Sequence, residues 1–359
     1  MARLLHRHEQ KSFRVLDVSA RSYKLIRITT GLCSHAESDY PGEACAWKEL
    51  ISTECDHYGL QLPYCVNGET QILWLETGAQ VAFDEYGDPN GAPVFFCHGW
   101  PSSRTMAELT DETARDLGLR IISPDRPGIR DSKFHPNRTL LDWPPLLCEL
   151  AAHLRIDKFK ILAISGGAPY AYVSAWMNPE RVEAIAVVSG APPIAELQDR
   201  SGLLTLYKRL LALRGSRPGL LRVLFHIARP FASIKLPVRV RPLLLKILQP
   251  CDANVLRDSK SFEACFESAR QAWRSSAVGV MTDAEIYAKP WGFSLEEVRV
   301  PVRLWHGKKD RTFSFRLAEQ IAARLPNCEF HLVDGAGHYS LPIRHTQEIL
   351  ADLLKARRS

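Results

Sequence analysis

At 359 residues, 46% apolar and 24% charged, the chain is long enough for one large α/β domain with an insertion, or for two ordinary domains, each with a sizeable core. No apolar run approaches the roughly 18 to 20 residues that span a bilayer, which speaks against an integral membrane protein, and the basic first eleven residues lack the apolar stretch of a secretory signal. A net charge of +6 without any aromatic-plus-basic motif predicts no nucleic-acid partner, and nine cysteines spread over the chain fit free thiols in a reducing, cytoplasmic setting rather than a disulfide framework.

Residues 1–65 do not resemble the rest. Basic side chains from Arg3 to Arg27 outnumber the acidic ones, and Cys33, Cys45, Cys55 and Cys65 follow, with His35 and His57 two residues after two of them. Neither Cys-x-His pair has the spacing of a usual zinc finger or ribbon, so no metal is expected, and the segment reads as a poorly ordered extension. Regular structure begins at Gln71, where Gln71 to Glu76 and Ala79 to Gly87 read as a hairpin around Thr77-Gly78. Pro93 to Cys97 and Leu119 to Ser123 are continuously apolar and predict strands buried on both faces. Helical spacing from Leu141 to Leu154 leads into a strand at Lys158 to Ile164, a helix at Ala168 to Met177 and a strand at Val182 to Val188.

From residue 194 to 293 the alternation stops, and five stretches carry helical spacing between Pro and Gly breaks. Strand and helix then resume with Val300 to Gly307, Phe315 to Leu325, Glu329 to Val333 and Thr346 to Lys355. Residues 66–193 and 294–359 are therefore expected to form one α/β core, with a mostly parallel, doubly wound sheet, and residues 194–293 a helical lid inserted into it.

Three residues in this frame carry chemistry. Ser165 lies at the strand-to-helix turn Ala163-Ile164-Ser165-Gly166-Gly167, where a tight, strained backbone needs small neighbours. Asp310 and His338 lie just past the carboxyl ends of the next two strands but one, and ligands of open parallel sheets gather at that edge. A serine hydroxyl needs an imidazole to take its proton, and the imidazole needs a buried carboxylate to fix its tautomer. The backbone N–H groups of Gly166 and Trp100 stand where an oxyanion hole is required.

With these residues the sequence resembles the α/β-hydrolase fold superfamily over about residues 70–359. The resemblance rests on the His98-Gly99-Trp100-Pro101 loop, the Asp125-Arg126-Pro127-Gly128 turn, the Ser165 elbow, His306-Gly307-x-x-Asp310 and Gly335-x-Gly337-His338. It implies a serine-nucleophile, esterase-like enzyme with Ser165, His338 and Asp310 catalytic, Trp100 and Gly166 at the oxyanion, and His98, Gly99 and Pro101 supporting the loop. The same loop looks like that of epoxide hydrolases and haloalkane dehalogenases, but those use an aspartate where this chain has Ser165. Ala163 replaces the usual first glycine of the elbow and should crowd it, and Thr312-Phe313 stands where many relatives have Val-Pro.

His98, His306 and His331 are expected to be structural, and Asp125 and Arg126 to pair with each other. Between Arg200 and Cys251 there are ten Lys or Arg and no acidic residue. That bias is expected either to solvate the lid or to attract an anion: an anionic ester, an acyl group on an acidic carrier, or an anionic membrane surface reached peripherally. The expected activity is hydrolysis of a small-molecule carboxylic ester without cofactor or metal. Thioesterase, amidase or C–C bond hydrolase chemistry on the same residues, or ligand binding without turnover, are the alternatives.

Overall fold

Strands whose successive side chains point to opposite faces can be buried on both sides only if each face is covered, and the chain supplies two apolar sets. Phe95, Cys97, Ile161, Ala163, Ile185 and Val187 belong to one buried cluster, and Val94, Phe96, Leu162, Ile164, Ala186 and Val188 to another. The computed structural model describes residues 13–16, 25–28, 70–75 and 78–356. It divides into two units, Met1–Tyr64 and Cys65–Ser359. In the first, β1 (Phe13–Leu16) and β2 (Leu25–Ile28) pair antiparallel. The expected disorder of residues 1–65 and the Cys and His residues between Cys33 and Cys65 otherwise lie outside the described residues.

The second unit carries an eight-stranded sheet. Its strands in chain order are β3 (Gln71–Trp74), β4 (Gln80–Gly87), β5 (Ala92–Cys97), β6 (Leu119–Pro124), β7 (Phe159–Ile164), β8 (Val182–Val188), β9 (Val302–Gly307) and β10 (Cys328–Val333). They lie in the order β3-β4-β6-β5-β7-β8-β9-β10. β4 runs antiparallel to β3 and β6, and all pairs from β6 to β10 are parallel. The hairpin, the buried strands and the strand–helix alternation thus form as the pattern predicts, with strand ends shifted by a residue or two.

Helices α1 (Asp111–Asp116), α2 (Trp143–His153) and α3 (Ala168–Met177) connect the strands up to β8. Between β8 and β9 the chain forms only helices: α4 (Thr205–Ser216), α5 (Pro218–Ala232), α6 (Arg241–Leu245), α7 (Pro250–Val255), α8 (Ser259–Ser275) and α9 (Ala277–Tyr287), with short 3-10 turns. α10 (Phe315–Arg324), α11 (Ser340–Arg344) and α12 (Thr346–Lys355) follow. Leu147 and Leu150 of α2, Ala171 and Val173 of α3 and Leu317 of α10 cover one sheet face, while Ala114 of α1 and Ile349, Leu350 and Leu353 of α12 cover the other. The chain passes from β5 outward to β6 and then back across to β7. This reversal opens a crevice beyond the carboxyl ends of β5 and β7, where such sheets bind ligands.

Candidate active site

β7 ends at Ile164 and α3 begins at Ala168, so three residues must turn the chain. Ser165 takes φ +53°, a conformation that costs a non-glycine residue free energy and holds its side chain at the sheet edge. The turn fits because Gly167 has no side chain: a Cβ there would lie 2.0 Å from the Cys97 carbonyl oxygen. Ala163, expected to crowd the elbow, is the last residue but one of β7. Its methyl is fully buried in the core, and its backbone sits in register with Cys97 on one side and Val187 on the other.

Loops after β9 and β10 bring the other two residues in. His338 Nε2 is 3.0 Å from Ser165 Oγ, and His338 Nδ1 is 2.8 Å from Asp310 Oδ2. The second Asp310 oxygen accepts the N–H groups of Thr312 (2.7 Å) and Phe313 (3.1 Å). Burial alone would raise the Asp310 carboxyl, but His338 and His306 together with the Phe313 N–H hold it below the usual carboxylate range. Burial would lower His338, but the Asp310 carboxylate, reinforced by Asp252, raises the imidazole above its ordinary value. Asp310 is therefore an anion facing an imidazole that accepts a proton readily, which is the electrostatic state a serine attack requires.

Across the crevice, the Trp100 amide nitrogen lies 3.1 Å from where a Gly166 Cβ would stand, so the two backbone segments run side by side next to Ser165. Arg126 holds the loop below them by donating to the carbonyls of His98 (2.6 Å) and Gly99 (2.7 Å). His98 is buried, and burial and Arg126 push its imidazole well below its ordinary range, so it is neutral. Its Nδ1 lies 3.1 Å from the Gly99 carbonyl and it does not join the group around Ser165. His306 likewise packs under the site, with Nε2 2.9 Å from the Phe313 carbonyl.

Asp125 and Arg126 do not pair with each other. Asp125 binds the backbone N–H and guanidinium of Arg104, and its burial still raises it to about 6. Arg126 reaches instead into the helical insertion, where Asp283 of α9 accepts from Arg126 (2.7 Å), Arg138 (2.5 Å) and the Tyr170 hydroxyl (3.0 Å). Burial works against the Asp283 charge, but the two guanidiniums keep it below the usual range. Neighbouring residues cannot share a buried pair when the turn sends their side chains to opposite sides.

The insertion supplies a second group that the sequence pattern did not single out. Asp252 of α7 is buried and accepts the backbone N–H groups of His338 (3.1 Å), Tyr339 (3.0 Å) and Ser340 (2.8 Å), plus the Ser340 hydroxyl (2.8 Å). The approach depends on Gly337, where a Cβ would lie 2.5 Å from the Asp252 carboxylate. Its only sequence signal is its place as the first acidic residue after a long basic stretch.

Above Ser165 lies a cavity of about 70 Å³ lined by Trp100 and by Tyr207, Leu211, Phe225 and Tyr287 of the insertion. The wall is almost wholly apolar. Of the sixteen Lys and Arg side chains in the insertion, Arg214 alone lines it among the described residues, and Glu285 pairs with it at 2.8 Å. The one described cluster with metal-ligand chemistry, Glu329, His331 and Asp352, lies at the β10 edge. Arg303 pairs with both carboxylates there, so a guanidinium already supplies the positive charge.

Residues 94–353 match the family model described as alpha/beta hydrolase family. A Bacillus subtilis (strain 168) protein provisionally assigned as a 2-succinyl-6-hydroxy-2,4-cyclohexadiene-1-carboxylate synthase is 26% identical over 276 residues, 75% of this chain and 92% of that protein. A soluble epoxide hydrolase of Corynebacterium sp. (strain C12) is 24% identical over 286 residues, 74% and 90% of the two chains. Among solved structures, a thermophilic esterase from Thermogutta terrifontis shares the fold, with a TM-score of 0.57 at 20% identity over 80% of this chain and 98% of that one. The chain is a hydrolase and belongs to the alpha/beta hydrolase family.

Proposed function

We propose that the protein is a serine hydrolase that cleaves a carboxylic ester through an acyl-enzyme. The observation that carries this reading is the unbroken relay from Ser165 Oγ to His338 to Asp310, at 3.0 and 2.8 Å, on the floor of an apolar cavity. Ser165 Oγ attacks the ester carbonyl while His338 Nε2 takes its proton, and Asp310 holds the opposite N–H and stabilises the imidazolium. The Trp100 and Gly166 N–H groups receive the oxyanion, each such donor being worth about 3 kcal/mol in the transition state. His338 then gives its proton to the departing alkoxide, and a water molecule, deprotonated by the same imidazole, releases the acid.

Residues 194–293 act as the lid, because their side chains close the cavity opposite Ser165. The apolar wall and the neutralised Arg214 favour an uncharged acyl chain over an anionic one, so the basic residues of the insertion serve something other than substrate recognition. Ser165→Ala is expected to abolish both turnover of p-nitrophenyl esters and labelling by a fluorophosphonate. Retained labelling would remove the serine from the mechanism, and a single burst of product without sustained turnover would favour ligand binding instead. A series of esters of increasing acyl length, run beside thioesters and amides, assigns the bond and the pocket depth.

A further inference from the structure

Among the described residues, the outer side of α5 has no partner. Leu220, Val223, Leu224, Ile227 and Phe231 are spaced i, i+3, i+4, i+7 and i+11, which places them on one side of the helix, and each is between 43% and 72% exposed. Leu221 and Phe225 of the same helix point the other way, toward the Ser165 cavity. The chain following α5 leaves further large apolar side chains exposed, Ile234 at 59% and Ile247 at 79%. A run of large apolar side chains left in water marks a surface that something covers.

The charge around this face says what covers it. No acidic residue occurs from Ser201 to Pro250, while ten Lys and Arg do. Arg209, Arg217, Arg222, Arg239 and Lys246 are exposed and make no ion pair among the described residues. A second copy of this chain packed symmetrically here would bring like charges together. An anionic surface with an apolar interior meets both requirements at once: the cations find headgroups and the aliphatic stripe enters the acyl boundary.

We propose that α5 and the chain following it form a peripheral docking surface for an anionic lipid bilayer, laid directly outside the Ser165 cavity. This surface stands independently of the ester reading, since none of its residues belongs to the catalytic group. The full-length protein is to be sedimented with phosphatidylcholine vesicles, with and without phosphatidylserine, at low and high salt. Binding is expected only with phosphatidylserine, weakened by salt. It should fall at least about tenfold in Ile227→Glu/Phe231→Glu, and in Arg239→Glu/Lys246→Glu, with unchanged melting by circular dichroism.

Equal partition onto phosphatidylcholine alone, or no binding to either vesicle, overturns the proposal. So does binding that survives Ile227→Glu/Phe231→Glu and is matched by soluble polyglutamate, because the face would then read charge alone and suit an acidic protein. A dimer in sedimentation equilibrium that the same double variant dissociates, without vesicle binding, assigns the face to self-association instead.

Discussion

The two halves of the helical insertion are attached to the molecule in opposite ways. The second half, α7 to α9, sends two buried carboxylates across to the α/β core: Asp252 to the loop carrying His338, and Asp283 to the arginine that holds the loop of Trp100. The first half, α4 to α6, buries only Phe225 among the residues of its helices and, Arg214 apart, carries its charge away from the cavity. A buried anion is tolerated only where donors converge on it, so each of these carboxylates fixes a geometry. An exposed cation fixes nothing and remains available. One half is therefore part of the site's scaffold, and the other is its outer surface.

That contrast breaks most visibly at Asp283. Asp283→Ala leaves Arg126 and Arg138 buried without their shared anion, and a loss of about 3–5 kcal/mol in stability is expected by chemical denaturation. A smaller loss would mean that water reaches the two guanidiniums. Asp252→Asn sharpens the comparison at the level of chemistry. The amide keeps the size of the group but loses the charge that the three N–H donors face, and a decrease of roughly 10- to 100-fold in kcat/KM is expected, equivalent to about 1.4–2.8 kcal/mol.

The same variant moves the pH profile. In the proposed mechanism His338 is a base only when neutral, and its pKa is raised, so activity is expected to be lost as pH falls through a value above the ordinary imidazole range of about 6.5. Asp252 contributes to that raised value, so Asp252→Asn should shift the acid limb of kcat/KM to lower pH. A purely structural defect would lower the rate at every pH and leave the limb in place. The smallest effect is expected on the outer half, where Phe231→Ser should change stability by no more than about 0.5 kcal/mol in a thermal melt. A larger loss would show that α5 is held by contacts of Phe231 rather than by Phe225.

The α/β core was legible in the sequence because each strand is a short apolar run followed by a chemically distinctive loop. Ser165, Asp310 and His338 could be singled out since each stands just beyond such a strand, and the structure brings the three side chains together. Asp252 could not be, because its donors lie 86 to 88 residues away and nothing near it repeats or alternates. The partners of Asp125 and Arg126 are hidden for the same reason: adjacency in the chain suggests a pair, whereas burial sends each to a residue on another element. α1, α7 and α11, of five or six residues, are too short to show a helical period and emerge only from tertiary packing. The two units of the insertion are equally helical by spacing, so only burial separates scaffold from surface.

Trp100 joins both parts of the site with one residue. Its amide lies beside Gly166, while its indole N–H donates to the Val280 carbonyl in α9 at 2.9 Å. Tyr287 at the end of that helix donates to the Gly166 carbonyl, also at 2.9 Å. An α9 that swung outward to admit substrate would pull on both strands of backbone flanking Ser165. Under the proposed mechanism, opening would then be a form of disarming, with Ser165 competent only while the chamber is shut and water from outside is held away.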